Sequence, residues 1–221
     1  MQIDRQIHLL SGLGADRRAF QSLKLDFSES VNHIEWINPV EKESLELYSK
    51  RIIAKNEIKE NAIVIGLSFG GIVAAEISKQ VKLSKAIIIS SARNRYDLPV
   101  FYRLFGKIGI IKLIPKKVFG KSNFFVEKAF GVKTEKEKKL LRTILNDTDT
   151  YFAKWAISEI SNWAETNGNE SIIRIHGSED NIIPLKNHAN YLIEKGTHFM
   201  IVQRASEISE ILNKELNKDN L

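Results

Sequence analysis

The 221-residue chain carries 33 Lys and Arg against 27 Asp and Glu, a formal charge of +6, with 43% hydrophobic residues and no cysteine. That balance suits a globular protein burying a full core in one domain, and it excludes disulfide scaffolds and thiolate metal sites. No apolar run approaches the ~20 residues that span a bilayer, and the N-terminus shows no signal-type segment, so a cytoplasmic protein is expected.

In chain order, residues 6–10 read as a strand that runs into Ser11-Gly12-Leu13-Gly14, after which Asp16 is placed to cap a helix through Phe20 and Leu23. A second strand is expected at 31–37, stopped by Asn38-Pro39, and helical spacing of Leu45, Leu47, Tyr48, Ile52 and Ile53 marks a helix over 44–54. Residues 61–67 form an apolar, β-branched strand ending in Gly66-Leu67-Ser68-Phe69-Gly70, followed by a helix. A serine between two glycines at a strand-to-helix turn is the nucleophile-elbow pattern, because the turn leaves room for almost no flanking side chain. A glycine-rich loop that merely carries a serine has the same appearance. Residues 85–90 make a further buried-type strand, and this alternation predicts a parallel sheet with helices on both faces.

From 97 to 163 the pattern is helical only, in pieces around 100–108, 140–145 and 152–163. Strands resume at 171–175 and 190–194, and a closing helix is expected over 205–216. The helical stretch is also where the charge collects. Between Arg93 and Arg142 fourteen Lys or Arg meet four acids, a balance of +10, while the rest of the chain has nineteen against twenty-three, or −4. Its plainest reading is a helix with solvated lysines; the functional one is a basic face for an acidic partner or an anionic surface. No nucleic-acid-binding motif accompanies the charge, and a nucleic-acid partner is not expected.

Two polar groups follow the late strands, His176-Gly177-Ser178-Glu179-Asp180 to Pro184 and Gly196-Thr197-His198. Strand C-termini of a parallel sheet share one edge, so Ser68, Asp180 and His198 can converge there. With the elbow, their order and spacing, the chain resembles the α/β-hydrolase fold superfamily over nearly its whole length. The resemblance implies a mostly parallel, twisted α/β sheet of about six strands, with a core from 1–91 and 170–221 and a helical cap inserted at 92–169 after the fourth strand. It implies a serine hydrolase cleaving an ester, thioester or related small-molecule acyl substrate, with no cofactor and no metal. Ser68 is the expected nucleophile, His198 the base and Asp180 the acid that orients it; Glu179 competes with Asp180 and fits the motif spacing less well. Backbone N–H groups of Leu13 and Phe69 are the oxyanion donors by the same resemblance, and His176 matches a structural histidine of the motif.

Two departures stand out. The family's first loop reads His-Gly-x, where this chain has Ser11-Gly12-Leu13. The usual two N-terminal strands are also expected to be missing, which leaves a sheet edge exposed or paired with another subunit. Other readings stay open: C–C bond hydrolysis or a lyase reaction by the same three residues, or a low-turnover ligand receptor on the same fold. A dinucleotide site at Gly12-Leu13-Gly14 with Glu35 is weaker, because Arg17 stands where the third glycine belongs.

Overall fold

The computed structural model describes residues 6–26, 31–102, 123–164 and 169–218. Six strands, β1 (Ile7–Leu10), β2 (Val31–Ile34), β3 (Ile63–Leu67), β4 (Lys85–Ile89), β5 (Ile173–Gly177) and β6 (Tyr191–Ile193), form one sheet. Every pairing is parallel and the order is β2-β1-β3-β4-β5-β6. The chain therefore lays β2 on one side of β1 and all later strands on the other. The direction of winding reverses between β1 and β3, and a crevice opens beyond their C-terminal ends.

Both faces of the sheet are apolar, as a doubly covered parallel sheet requires. Side chains alternate along each strand, so Ile63, Ile65, Ile87, Ile89 and Ile175 share one face with Met200, Ile208 and Leu212. Leu10, Val64, Ala86 and Ile88 share the other with Tyr48, Ile52, Ile72 and Val73. The helices that cover this second face are α1 (Leu45–Lys55) and α2 (Phe69–Gln80); α7 (Ala205–Asn217) covers the first, preceded by the short α6 (Met200–Gln203). Ser44 caps α1 by accepting from the Leu47 N–H at 3.2 Å.

Between β4 and β5 lie α3 (Phe124–Phe130), α4 (Glu135–Asp147) and α5 (Thr150–Asn162). Thr134 and Glu137 start α4 with a reciprocal capping box, and Asp149 caps α5. The piece expected at 100–108 falls mostly outside the described residues, as do the basic residues Arg103, Lys107, Lys112, Lys116, Lys117 and Lys121.

Two early elements are shorter than the pattern suggested. The helix after Asp16 is a single 3-10 turn, Arg17–Phe20. Beyond it the backbone is drawn onto α7, with the Lys24 N–H donating to Ser209 Oγ and Asn213 bonding Lys24 and Asp26. Strand β2 stops at Ile34 because β1, its partner among the described residues, ends opposite it; the Ile37 backbone bonds the Tyr48 hydroxyl instead.

The tightest point is the turn from β3 into α2. Ser68 has φ 51° and ψ −117°, a conformation costing an ordinary residue roughly 1–3 kcal/mol. A Cβ on Gly66 would come within 2.3 Å of the Gly70 carbonyl oxygen, and one on Gly70 within 2.3 Å of that of Leu10. Neither neighbour is a side chain that can swing away. Gly70→Ala is accordingly expected to cost about 3 kcal/mol in urea denaturation. Gly12→Ala, whose Cβ meets nothing nearer than Ser68 Cβ at 3.6 Å, is expected to stay within about 0.5 kcal/mol of the parent.

Candidate active site

Ser68 follows β3, Asp180 follows β5 and His198 follows β6, so the C-terminal ends of three strands on the same edge, with β4 between the first two, deliver the three side chains. The Ser68 N–H donates to the Ile89 carbonyl at 2.9 Å, and Ser91 Oγ donates to the Ser68 carbonyl at 2.6 Å, which pins the turn to the end of β4. Ser68 Oγ lies 2.9 Å from His198 Nε2. His198 Nδ1 lies 2.8 Å from Asp180 Oδ2 and 3.0 Å from Oδ1. A carboxylate can only accept, so His198 carries its proton on Nδ1 and turns a lone pair on Nε2 toward the serine hydroxyl. Glu179 is exposed, outside this chain of hydrogen bonds, while Asp180 and His198 are buried.

Asp180 is held from several sides. Its Oδ1 accepts the N–H groups of Ile182 and Ile183, each at 2.9 Å. Burial alone would push this carboxyl up, but the charge and hydrogen bond of His198, the Ile183 N–H and nearby His176 outweigh it, and the carboxyl titrates below its ordinary value. His176 lies beneath, with Nε2 2.7 Å from the Ile183 carbonyl oxygen and 3.6 Å from Asp180 Oδ2. Burial, aided by the positive charge of Arg174, pushes its pKa down to about 4.

Leu13 and Phe69 border the same space. Among the described residues no acceptor pairs with either backbone N–H, and that of Phe69 opens α2, where the helix dipole favours negative charge. The loop lacks the expected histidine, and other bonds anchor it: Ser11 Oγ donates to the Ala15 carbonyl at 2.5 Å, and Trp36 Nε1 donates to the Gly12 carbonyl at 3.2 Å. The loop leads only into the 3-10 turn, so no helix N-terminus is available there to hold a pyrophosphate.

A cavity of about 250 Å³ opens above Ser68 and His198. Its roof is apolar, built from Leu141, Ile144 and Leu145 of α4 with Ile157 and Ile160 of α5, and Phe130 sets its ring edge against His198 at 5.3 Å between centroids. Besides Ser68 and His198, Tyr102 is the one lining residue with a polar side-chain group among the described residues. Sequence reasoning missed Phe130 and Tyr102. Nothing local distinguishes them from other aromatics; only the folding of α3 and the segment after β4 over the sheet edge brings them here.

No protein-family model matches the sequence, and no curated protein does. Solved structures do match its fold. A hydrolase from Oleispira antarctica superposes with a TM-score of 0.68 at 14% identity, covering 98% of this chain and 92% of its own. MenH from S. aureus does so at 0.67 and 13%, covering 100% and 96%. The meta-cleavage product hydrolase CumD does so at 0.65 and 15%, covering 97% and 91%. The fold is that of the α/β-hydrolases. At such identities the shared property is the backbone, and the chemistry of this α/β-hydrolase fold has to be argued from its own side chains.

The depressed pKa values have a consequence for folding. Unfolded His176 takes up a proton near 6.5 whereas the folded one waits until about 4, so stability is expected to fall as the pH drops through that window. Asp180 and Asp97, both held below the ordinary 3.8, add a further loss below that value. Urea midpoints measured from pH 8 to 3 check this. A His176→Gln variant should show a flatter slope than the parent between pH 6.5 and 4 and retain the loss below.

Proposed function

We propose that the protein is a serine hydrolase that cleaves a carboxylic ester, thioester or related acyl bond through an acyl-enzyme. The observation that carries this reading is Ser68 Oγ at 2.9 Å from His198 Nε2, in a strained turn beside an apolar cavity. Ser68 attacks the substrate carbonyl carbon while His198 Nε2 takes the hydroxyl proton. The carbonyl oxygen becomes an oxyanion facing the N–H groups of Leu13 and Phe69; one such donor is worth about 3 kcal/mol in the transition state. His198 then protonates the leaving alcohol or thiol, and the acyl group stays on Ser68. A water, deprotonated by the same nitrogen, releases the acid. Asp180 holds the imidazole in one tautomer and stabilises the imidazolium formed in each half-reaction.

The cavity narrows the substrate. The described residues around Leu141, Ile144 and Ile160 offer a carboxylate or ammonium no partner, and burying one there would cost several kcal/mol, which favours a substrate whose buried part is uncharged and apolar. A cavity of about 250 Å³ suits a small to medium acyl or aryl group. In this reading the insertion between β4 and β5 acts as the substrate-selecting cap on a core formed by 1–91 and 170–221.

A series of p-nitrophenyl esters graded by acyl length, run beside an acyl thioester, tests the proposal. Turnover is expected to peak at medium chain length and to be weak for an acyl chain ending in a carboxylate. Ser68→Ala should lower kcat by about 10⁵-fold or more and abolish labelling by a fluorophosphonate. Wild-type protein that neither turns over any of these substrates nor takes the label would sink the reading. Ile144→Trp, which fills the cavity from α4, should move the preference toward shorter chains with little effect on acetyl transfer to water.

A further inference from the structure

Along β5 the side chains alternate as a parallel strand demands: Ile175 points to the face covered by α7, while Arg174 and His176 point to the other. Arg174 pairs in register with Ile88, a core residue, and is itself fully buried. A guanidinium at a position where the pattern calls for an apolar side chain needs a reason, because desolvating it costs several kcal/mol. Asp97, also fully buried, supplies the counter-charge, with Arg174 Nη1 3.2 Å from Asp97 Oδ1 in an ion pair that lacks hydrogen-bond alignment. Asp97 is in turn fixed by the Arg93 N–H and the Asn187 amide. The remaining directed contact of the guanidinium is Nε at 3.3 Å from His176 Nδ1.

We propose that Arg174 is a positioning residue for Asp180, acting through the tautomer of His176. A guanidinium can only donate, so His176 Nδ1 is an acceptor and the ring proton sits on Nε2. That proton is donated to the Ile183 carbonyl at 2.7 Å. The N–H of the same residue donates to Asp180 Oδ1, so a held Ile183 carries the hydrogen-bond cradle of the acid. With Nδ1 occupied by a donor, His176 also resists taking a second proton. An uncharged His176 leaves Asp180 Oδ2, 3.6 Å away, to His198 alone. The charged and titratable groups facing His176 are Arg174 on its own strand and Asp180 and His198 from the loops after β5 and β6. Asp97 and Arg93, from the segment after β4, face Arg174. The proposal rests on the serine-hydrolase reading for its effect on turnover, and on the geometry alone for the state of His176.

Two measurements test it. The first is the ¹⁵N NMR tautomer and titration of His176 in the wild-type protein, which requires no activity. A neutral ring protonated on Nε2 from pH 8 to 5 is expected; a proton on Nδ1, or a charged ring near pH 6, overturns the proposal even if the enzyme hydrolyses esters well. The second compares ester hydrolysis by Arg174→Met, Arg174→Lys and the charge-balanced pair Arg174→Met with Asp97→Asn, which protects against an unfolded single variant. Loss of the cation should lower kcat about tenfold, leave KM within twofold, and steepen the acid limb of kcat/KM as protonation of His176 is added to that of His198. Lysine, another donor-only cation, should restore the acid limb. A folded Met variant with the parent kcat and acid limb overturns the proposal. A protein with no turnover at all removes the hydrolase reading and leaves the tautomer result standing.

Discussion

The approach of two backbones at Gly66 and Gly70 sets what the rest of this molecule can do. With a Cβ at either position the turn after β3 could not close, and Ser68 could not be held at a positive φ above the sheet edge. The strain at Ser68 is sustained by what surrounds it. Its N–H is bonded to β4, its carbonyl receives Ser91, and α2 begins at once with a run of small and buried residues. The hydroxyl is thus carried on a turn hydrogen-bonded to the neighbouring strand.

The same edge collects the other participants because parallel strands end together. Asp180 and His198 come from neighbouring strands, and the first loop is drawn beside Ser68 through the Trp36 contact with Gly12. The polar arrangement continues below the surface. Asp97, Arg174 and His176 connect to Asp180, His198 and Ser68 through Ile183, whose carbonyl accepts from His176 and whose N–H donates to Asp180.

Above the edge the chemistry changes from polar to apolar within one residue. The roof from α4 and α5 meets His198 through Phe130, whose carbonyl accepts the Phe199 N–H. The insertion is tied to the core by side chains that reach across: Trp163 Nε1 to Glu76 at 2.7 Å, Glu159 to the Leu45 N–H at 3.0 Å, and Gln203 to the Gly131 carbonyl at 3.0 Å. It is thus packed onto the core at both of its described ends.

Much of the framework was legible in the chain. Period-two apolar strands, glycines at the turn, and polar groups placed directly after strands are local signals, and six strands with Ser68, Asp180 and His198 at one edge follow from them. Local signals failed where an element's length depends on a neighbour, as when β2 stopped with β1 and the turn at Arg17 gave way to contacts with α7. They were also blind to Arg174, which reads as one basic residue in a strand until Asp97 and His176 are seen on either side of it. The sequence by itself determined the alternation, the turn and the order of the polar groups, because those rest on neighbours a few residues away. Only the tertiary structure decided the roof of the cavity, the partner of the buried arginine and the neighbours of the histidine beneath Asp180, because each depends on groups far apart in the chain.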